Sequence, residues 1–111
     1  MKPGDVVLAM VAGAVETKVR PAVIIANEIY VKEHQDIIVG ILTTKIPLRI
    51  TTTDYVLENW QSANLRARSC FRMYVVTLVQ SNATVIGQLS GRDWQQVRQR
   101  VQAALTLSTG L

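Results

Sequence analysis

Short apolar runs bounded by turn residues recur along this chain, and each is too short for an ordinary helix. The first run is VVLAMV at residues 6–11, which follows Pro3-Gly4-Asp5 and stops before Gly13. Later runs rich in β-branched residues predict four more strands, at residues 22–26, 36–42, 69–79 and 83–89. This pattern predicts a mainly β fold.

Three segments between these runs are less regular. Residues 49–57 alternate weakly between polar and apolar, which suits a half-exposed strand or an edge hairpin. Residues 27–35 are polar around a small apolar insert and predict a loop or a short helical turn, and residues 58–68 predict a loop. Pro21 has no N–H and belongs at the start or edge of a strand.

The last element is predicted to be a helix with specific local chemistry at its start. Ser90 is a suitable N-cap, Asp93 follows three residues later, and Leu89 and Trp94 occupy the hydrophobic-staple positions. Apolar residues then repeat at helical spacing to an expected end near Leu107. The predicted fold is therefore a small β-rich barrel or sheet of five to six strands with a packed C-terminal helix.

The composition indicates one globular domain spanning residues 1–111, with 49% apolar and 18% charged residues. Lone Cys70 cannot form an internal disulfide, which favours a reducing compartment. The N-terminus lacks the build of a signal peptide, and no apolar run reaches the ~18 residues of a membrane span. A soluble cytoplasmic protein without membrane contact is expected.

Positive charge is concentrated in the second half of the chain. Residues 61–111 contain six Arg and one acidic residue, a net charge of +5, whereas residues 1–60 contain six basic and seven acidic residues. Arginine suits phosphate recognition, so contact with nucleic acid is one interpretation. A solvated face that keeps the protein soluble is the other.

Common catalytic and cofactor motifs are missing from the sequence. One His and one Cys cannot build a zinc site, and the glycines match neither a P-loop nor a dinucleotide fingerprint. His34 lies in a polar loop, which leaves a catalytic triad without a histidine partner. Neither a metal nor a cofactor is expected.

Arg20 at the start of one predicted strand and Thr43 at the end of the next form a candidate phosphate site. If the two strands pair antiparallel, the start of one lies beside the end of the other, and both side chains face one rim of the sheet. A guanidinium fork and a hydroxyl donor suit a phosphate group. Taken singly, each has a simpler explanation as a surface Arg and a strand-end Thr.

The same residues lie in motifs that resemble the PemK/MazF/Kid family of toxin endoribonucleases. The matching segments are, in chain order, GDVVL at 4–8, RPAVII at 20–25, LTTK at 42–45, Ser69, VTL at 76–78 and IGQLS at 86–90. The resemblance implies an SH3-like barrel, a homodimer, single-stranded RNA as substrate and a cognate antitoxin as partner. It also implies attack by the RNA 2′-hydroxyl on the adjacent phosphorus, leaving a cyclic phosphate and a free 5′-hydroxyl.

By resemblance, Arg20 matches the catalytic Arg of the family and Thr43 its catalytic Thr. Arg20 is expected to stabilise charge on the phosphate oxygens, because arginine is a poor proton donor. Many family members carry an acid in the fifth strand two positions after an Arg, but here Arg72 is followed by Met73-Tyr74. Glu16 is therefore the candidate for a base or an RNA contact, with a solvated loop acid as the alternative.

Five cations are candidates for binding RNA. Lys18 and Lys45 lie close in sequence to the two catalytic candidates. Arg66, Arg68 and Arg72 share one parity, so in an extended segment all three would project to the same side and follow the phosphates. A solvated row of arginines is the alternative.

These features together predict a sequence-specific, metal-independent endoribonuclease toxin of a type II toxin–antitoxin system. One alternative is a non-catalytic relative that binds RNA or acts as an interaction module, which the missing acid favours. The other is a CcdB-like toxin, which shares the fold and poisons DNA gyrase. The pairing of Arg20-Pro21 with Thr43 favours the ribonuclease.

Overall fold

The computed structural model describes residues 1–105, which form six strands, two α-helices and one 3-10 turn. The strands are β1 (Asp5–Ala12), β2 (Thr17–Ile24), β3 (Asp36–Thr43), β4 (Tyr55–Val56), β5 (Cys70–Val79) and β6 (Ala83–Gln88). The helices are α1 (Glu28–Glu33) and α2 (Gly91–Ala104), and the 3-10 turn is Gln80–Asn82. The expected helix end near Leu107 lies outside the described residues.

All six strands join one antiparallel sheet in the order β4-β5-β3-β2-β1-β6. The strand runs at 6–11, 36–42, 69–79 and 83–89 are each confirmed to within two residues at either end. The polar segment before β3 contains the short helix α1, whose Tyr30 N–H donates to the Asn27 side chain at 2.8 Å. The expected fold class, mainly β with a C-terminal helix, is confirmed.

Both faces of the sheet are buried over part of their area. Val6 and Val7 are neighbours on β1 but point to opposite faces, and each belongs to a different core cluster. The helix face contains Val6, Val23, Leu42, Phe71 and Val97 of α2 among its buried residues. The other face, called the far face because it lies opposite the helix face, contains Val7, Ala9, Val11, Ala22, Ile24, Ile37, Val39 and Ile41.

The start of α2 is fixed by its cap and by long-range contacts. Ser90 Oγ accepts the Asp93 N–H at 3.1 Å, as the sequence predicts, and Leu89 and Trp94 pack at the helix-face core. The Asp93 carboxylate turns away from the cap and accepts the backbone N–H groups of Glu58 and Asn59 at 3.1 and 2.8 Å. The helix is thus attached to the segment before it by a buried acid.

Two sequence-based boundaries were wrong, each for a physical reason. The predicted strand at 49–57 is reduced to the two residues of β4, because Asp54 closes a turn with Thr51 instead. β2 begins at Thr17 rather than at residue 22, because residues 17–20 pair with β1 while their side chains stay exposed. Exposed strand residues carry no apolar signal in the sequence.

Candidate active site

An open cleft of about 850 Å³ lies at one end of the far face, where Val11 and Ile41 line it. It is lined by the β1–β2 loop and by residues from four strands, β1, β2, β3 and β5. The charged and polar lining residues are Glu16, Lys18, Arg20, Thr43 and Arg72. Five of the eight residues selected from the sequence therefore line one cleft.

Arg20 and Thr43 meet in this cleft because of the register between β2 and β3. The last pair in the ladder is Ala22 with Ile41, and the same register continued by two residues places Arg20 opposite Thr43. Both also lie on the far face, since Ala22 and Ile41, two residues away along each strand, are buried there. Both residues line the cleft, as the sequence argument expects, but Arg20 is the fourth residue of β2 rather than its first.

Pro21 lies where the pairing of β2 with β3 ends, although β2 still pairs with β1 at this residue. It lies opposite Leu8 of β1, whereas pairing with β3 begins only at Ala22. A proline has no N–H to donate and suits a strand position with one open side. The ladder therefore ends where the cleft begins.

The Thr43 hydroxyl is oriented by the backbone that follows it. Its Oγ1 accepts the N–H of Lys45 at 3.1 Å, which leaves the hydroxyl proton available to another acceptor. Thr43 is half-buried, and Lys45 is exposed and contributes nothing to the cleft lining. Thr43 is thus presented to the cleft as a hydrogen-bond donor.

Glu16 and Lys18 form a loose pair at the mouth of the cleft. Lys18 Nζ lies 3.9 Å from Glu16 Oε1, and more than half of each side chain is exposed. The loop before them is tight, since Gly13 N–H donates to Glu16 O at 2.8 Å and an added Cβ on Gly13 would lie 2.7 Å from that oxygen. An exposed pair of this kind is weak, so both groups are free to meet a ligand.

Arg72 reaches the cleft from an irregularity in β5. The β3–β5 register shifts between Gly40 and Leu42, and Met73 adopts a positive φ of 59°. This left-handed conformation is uncommon for a residue with a side chain. Arg72, Met73 and Tyr74 all line the cleft at this bulge.

A family model described as the PemK-like, MazF-like toxin of type II toxin–antitoxin systems matches residues 2–105. The chain belongs to this family. The family resemblance seen in the sequence is confirmed. Among curated protein sequences, none is similar enough to count as a match.

Solved structures of toxins share the fold of this PemK/MazF-like toxin. A mycobacterial endoribonuclease in complex with its cognate antitoxin has a TM-score of 0.79 at 18% identity, covering 97% of each chain. A MazE-MazF complex from Deinococcus radiodurans has a TM-score of 0.77 at 14% identity, covering 97% of this chain and 98% of that one. The Mycobacterium tuberculosis toxin MazF-mt6 has a TM-score of 0.75 at 18% identity, with coverages of 94% and 98%. At these identities the likeness shows the fold.

The toxin has no carboxylate at the fifth-strand position where the sequence resemblance places one. The resemblance places that position at Tyr74, or at Met73 if a gap is placed differently; both line the cleft, and Tyr74 is 63% exposed. Glu16 is the acidic residue that lines the cleft within the described part of the chain. Glu16 therefore stays the candidate base, and it belongs to the β1–β2 loop rather than to β5.

The proposed row of three arginines is not a row in the structure. β5 begins at Cys70, so Arg66 and Arg68 lie in the preceding loop, exposed and outside the cleft lining. The parity argument requires an extended segment, and residues 66 and 67 form a bend instead. Arg72 alone of the three lines the cleft, and RNA binding by the other two stays a prediction.

Sequence reasoning missed Asp54, which pairs with Arg72 behind the cleft. Arg72 Nε lies 3.6 Å from Asp54 Oδ1, and Asp54 is 4% exposed. The signal available was an acid ending the polar stretch TTTD, but its partner lies 18 residues later. Only the pairing of β4 with β5 brings the two together.

Within residues 1–105, no three His, Cys, Asp or Glu side chains are grouped to hold a metal ion. No helix in the described part of the chain is long and apolar enough to cross a membrane.

Proposed function

We propose that this chain is a sequence-specific endoribonuclease toxin that cuts single-stranded RNA, including mRNA, without a metal ion. The observation that carries the proposal is that Arg20 and Thr43 line one cleft, on adjacent strands and two residues beyond their last paired position. A guanidinium and a hydroxyl donor suit the non-bridging oxygens of a phosphodiester. Arg72 and Lys18 add positive charge to the same cleft.

The proposed reaction is an in-line transfer at phosphorus. The RNA 2′-oxygen forms a bond to the adjacent phosphorus while the bond to the 5′-oxygen breaks, which yields a 2′,3′-cyclic phosphate and a 5′-hydroxyl. Arg20 and Arg72 stabilise the charge that develops on the phosphate oxygens, and Thr43 orients the phosphate. Glu16 accepts the 2′-hydroxyl proton, and water supplies a proton to the leaving 5′-oxygen.

The proposed partner is an acidic, poorly ordered antitoxin segment that covers the RNA groove. The net charge of +5 over residues 61–111 favours such a segment. Two of the similar solved structures are complexes of a toxin with its antitoxin. The cytoplasm, which contains mRNA, is the proposed compartment.

We infer a homodimer as the working form, in line with the family resemblance. An apolar strip on the helix face of β1 and β2 offers a surface for the second copy. Met10 and Val19 are direct cross-strand neighbours and are 51% and 62% exposed, and Leu8 continues the strip along β1. Sedimentation of the wild type and of Met10→Lys tests this, since the charge should shift a dimer toward monomer.

A non-catalytic relative is the second candidate function, and Tyr74 at the position of the missing acid favours it. One experiment separates the two functions. Purified protein is incubated with a long RNA in the presence of EDTA, and the cleavage sites and their end groups are mapped. Cuts at a few discrete sites, absent with Arg20→Ala, support the nuclease. RNA binding without any cut supports the non-catalytic relative.

A further inference from the structure

A buried carboxylate lies behind the cleft and contacts a cation that lines it. Asp54 Oδ1 lies 3.6 Å from Arg72 Nε, and the Arg72 side chain is 48% exposed. Asp54 itself is buried and does not line the cleft. The contact therefore joins an acid in the protein interior to a cation that meets solvent in the cleft.

Asp54 is held firmly by the backbone around it. Its Oδ2 accepts the Thr51 N–H at 3.0 Å, and its own N–H donates to Thr51 O at 3.2 Å. Its carbonyl oxygen accepts Arg100 Nε of α2 at 3.3 Å, and the Arg100 guanidinium lies over the Tyr55 ring at 4.9 Å. The carboxylate position is thus set by the turn, by β4 and by the helix.

The surroundings of Asp54 keep it ionised. Burial acts to raise the pKa of this carboxyl group, but hydrogen bonds from Thr51 and the nearby charge of Arg72 outweigh burial and lower it. Asp54 is therefore a buried negative charge that attracts the Arg72 guanidinium.

Asp54 contacts Arg72 at Nε and leaves the two terminal NH₂ groups of the guanidinium available to a ligand. The carboxylate lies against Nε, and within residues 1–105 the two terminal NH₂ groups of Arg72 make no hydrogen bond. Two parallel N–H donors form the fork that recognises phosphate oxygens. An arginine anchored at Nε has fewer conformations to lose when that fork meets a ligand.

We propose that Asp54 is a positioning residue that holds the Arg72 guanidinium toward the scissile phosphate of bound RNA. This inference rests on the proposed function and names a residue that supports the chemistry without touching the substrate. Misplacing a group that meets the transition state lowers the rate, whereas removing a negative charge near the cleft should strengthen binding of a polyanion. Positioning therefore predicts a lower cleavage rate in Asp54→Asn, which the charge change alone does not predict.

The first test compares Asp54→Asn with Glu58→Gln, a matched control. Asn keeps the shape and an acceptor for the Thr51 N–H. Glu58→Gln makes the same charge change in the exposed Glu58–Arg92 pair (3.0 Å), outside the cleft. We expect the single-turnover cleavage rate at saturating protein to fall about 10- to 100-fold in Asp54→Asn, with RNA affinity unchanged or higher. Glu58→Gln should cleave at the wild-type rate, and equal rates in both variants would overturn the proposal.

A double-variant comparison separates positioning from a general structural effect. In an Arg72→Ala background, Asp54→Asn should cause no further loss of rate, because the group that it positions is already gone. An equal loss in both backgrounds would show that Asp54 acts by another route and would reject the proposal.

A measurement without RNA keeps the inference testable even if Asp54→Asn folds poorly or the wild type cuts nothing. In the NMR spectrum of the wild-type chain, the Arg72 Nε–Hε signal should exchange slowly and show restricted motion. Arg68, which forms no ion pair within residues 1–105, is the internal reference. Cleavage failure in the wild type would reject the nuclease, whereas an Arg72 signal as mobile as that of Arg68 would reject the role of Asp54.

Discussion

Tyr55 and Asp93 lie 38 residues apart in the chain and share a buried hydrogen bond of 2.6 Å between the phenol and Asp93 Oδ1. The bond joins the short strand β4 to the first turn of α2. The same carboxylate accepts two backbone N–H groups from the segment after β4, and Asp93 is fully buried. Burial together with the Asp93 carboxylate raises the pKa of the Tyr55 phenol.

Tyr55→Phe should destabilise the protein by about 1.5–3 kcal/mol, because it removes a hydrogen bond to a buried charged acceptor. Urea unfolding followed by circular dichroism measures the loss. Arg92→Gln, which breaks only the exposed pair with Glu58, should cost less than about 1 kcal/mol. Equal losses for the two variants would contradict the importance of the buried bond.

The same bond has a pH signature. A group whose pKa is raised on folding contributes stability that is fully present below its unfolded pKa, which is about 10 for tyrosine. That contribution is lost as pH rises through the folded value. The stability difference between wild type and Tyr55→Phe should therefore shrink above about pH 10, and a constant difference would show that Tyr55 does not titrate with unfolding.

Arg20→Ala should abolish cleavage and growth toxicity while leaving the fold unchanged. Arg20 is an exposed side chain, so its removal leaves no cavity in the core. Loss of one well-placed donor to a developing oxyanion lowers the rate by about 100- to 1,000-fold. Cleavage of a mapped RNA site is measured alongside thermal unfolding, and normal cleavage by the folded variant would remove Arg20 from the mechanism.

Thr43→Val should slow cleavage strongly, because it keeps the side-chain shape and removes the hydroxyl. It also leaves the Lys45 N–H without its acceptor. Thr43→Ser is the matched control, because serine keeps a hydroxyl that accepts the Lys45 N–H and donates to the phosphate. We expect Ser to cleave near the wild-type rate and Val to fall far below it. A wild-type rate in Thr43→Val would reduce Thr43 to a strand-end residue.

Arg66 and Arg68 lie outside the cleft, and their contribution is expected to be to RNA affinity alone. Alanine at either position should weaken binding and reduce the slope of affinity against salt by about one unit, without changing the cleavage sites. Arg72→Ala should differ by also slowing the cleavage step, since Arg72 lines the cleft. Unchanged salt dependence in Arg66→Ala and Arg68→Ala would leave both as solvated surface residues.

Antitoxin binding should weaken as salt concentration rises. The basic second half of the chain favours an acidic partner segment, and exposed charge pairs are screened over about 8–10 Å at physiological ionic strength. Titration calorimetry with the cognate antitoxin at low and high salt measures the effect. An affinity that does not change with salt would indicate an apolar interface.

Local patterns were sufficient for much of the fold and for the centre of the site. The apolar β-branched runs predicted the long strands, since burial on a pleated sheet selects those residues. Ser90 predicted the start of α2 because a cap is chemistry between neighbours in sequence. Arg20 and Thr43 could be placed together because neighbouring antiparallel strands bring the start of one beside the end of the next.

By itself, then, the sequence determined the strand content, the capped final helix and the meeting of Arg20 with Thr43. Tertiary structure alone decided the remaining contacts: the pairing of Asp54 with Arg72, the turn of Asp93 toward Tyr55, and the bulge that presents residues 72–74 to the cleft. These depend on strand register, where a shift of one residue reverses which face a side chain occupies. Composition and periodicity describe neighbours in the sequence and do not determine the register between distant strands. The partners of the buried carboxylates Asp54 and Asp93 are therefore set only when the sheet is assembled.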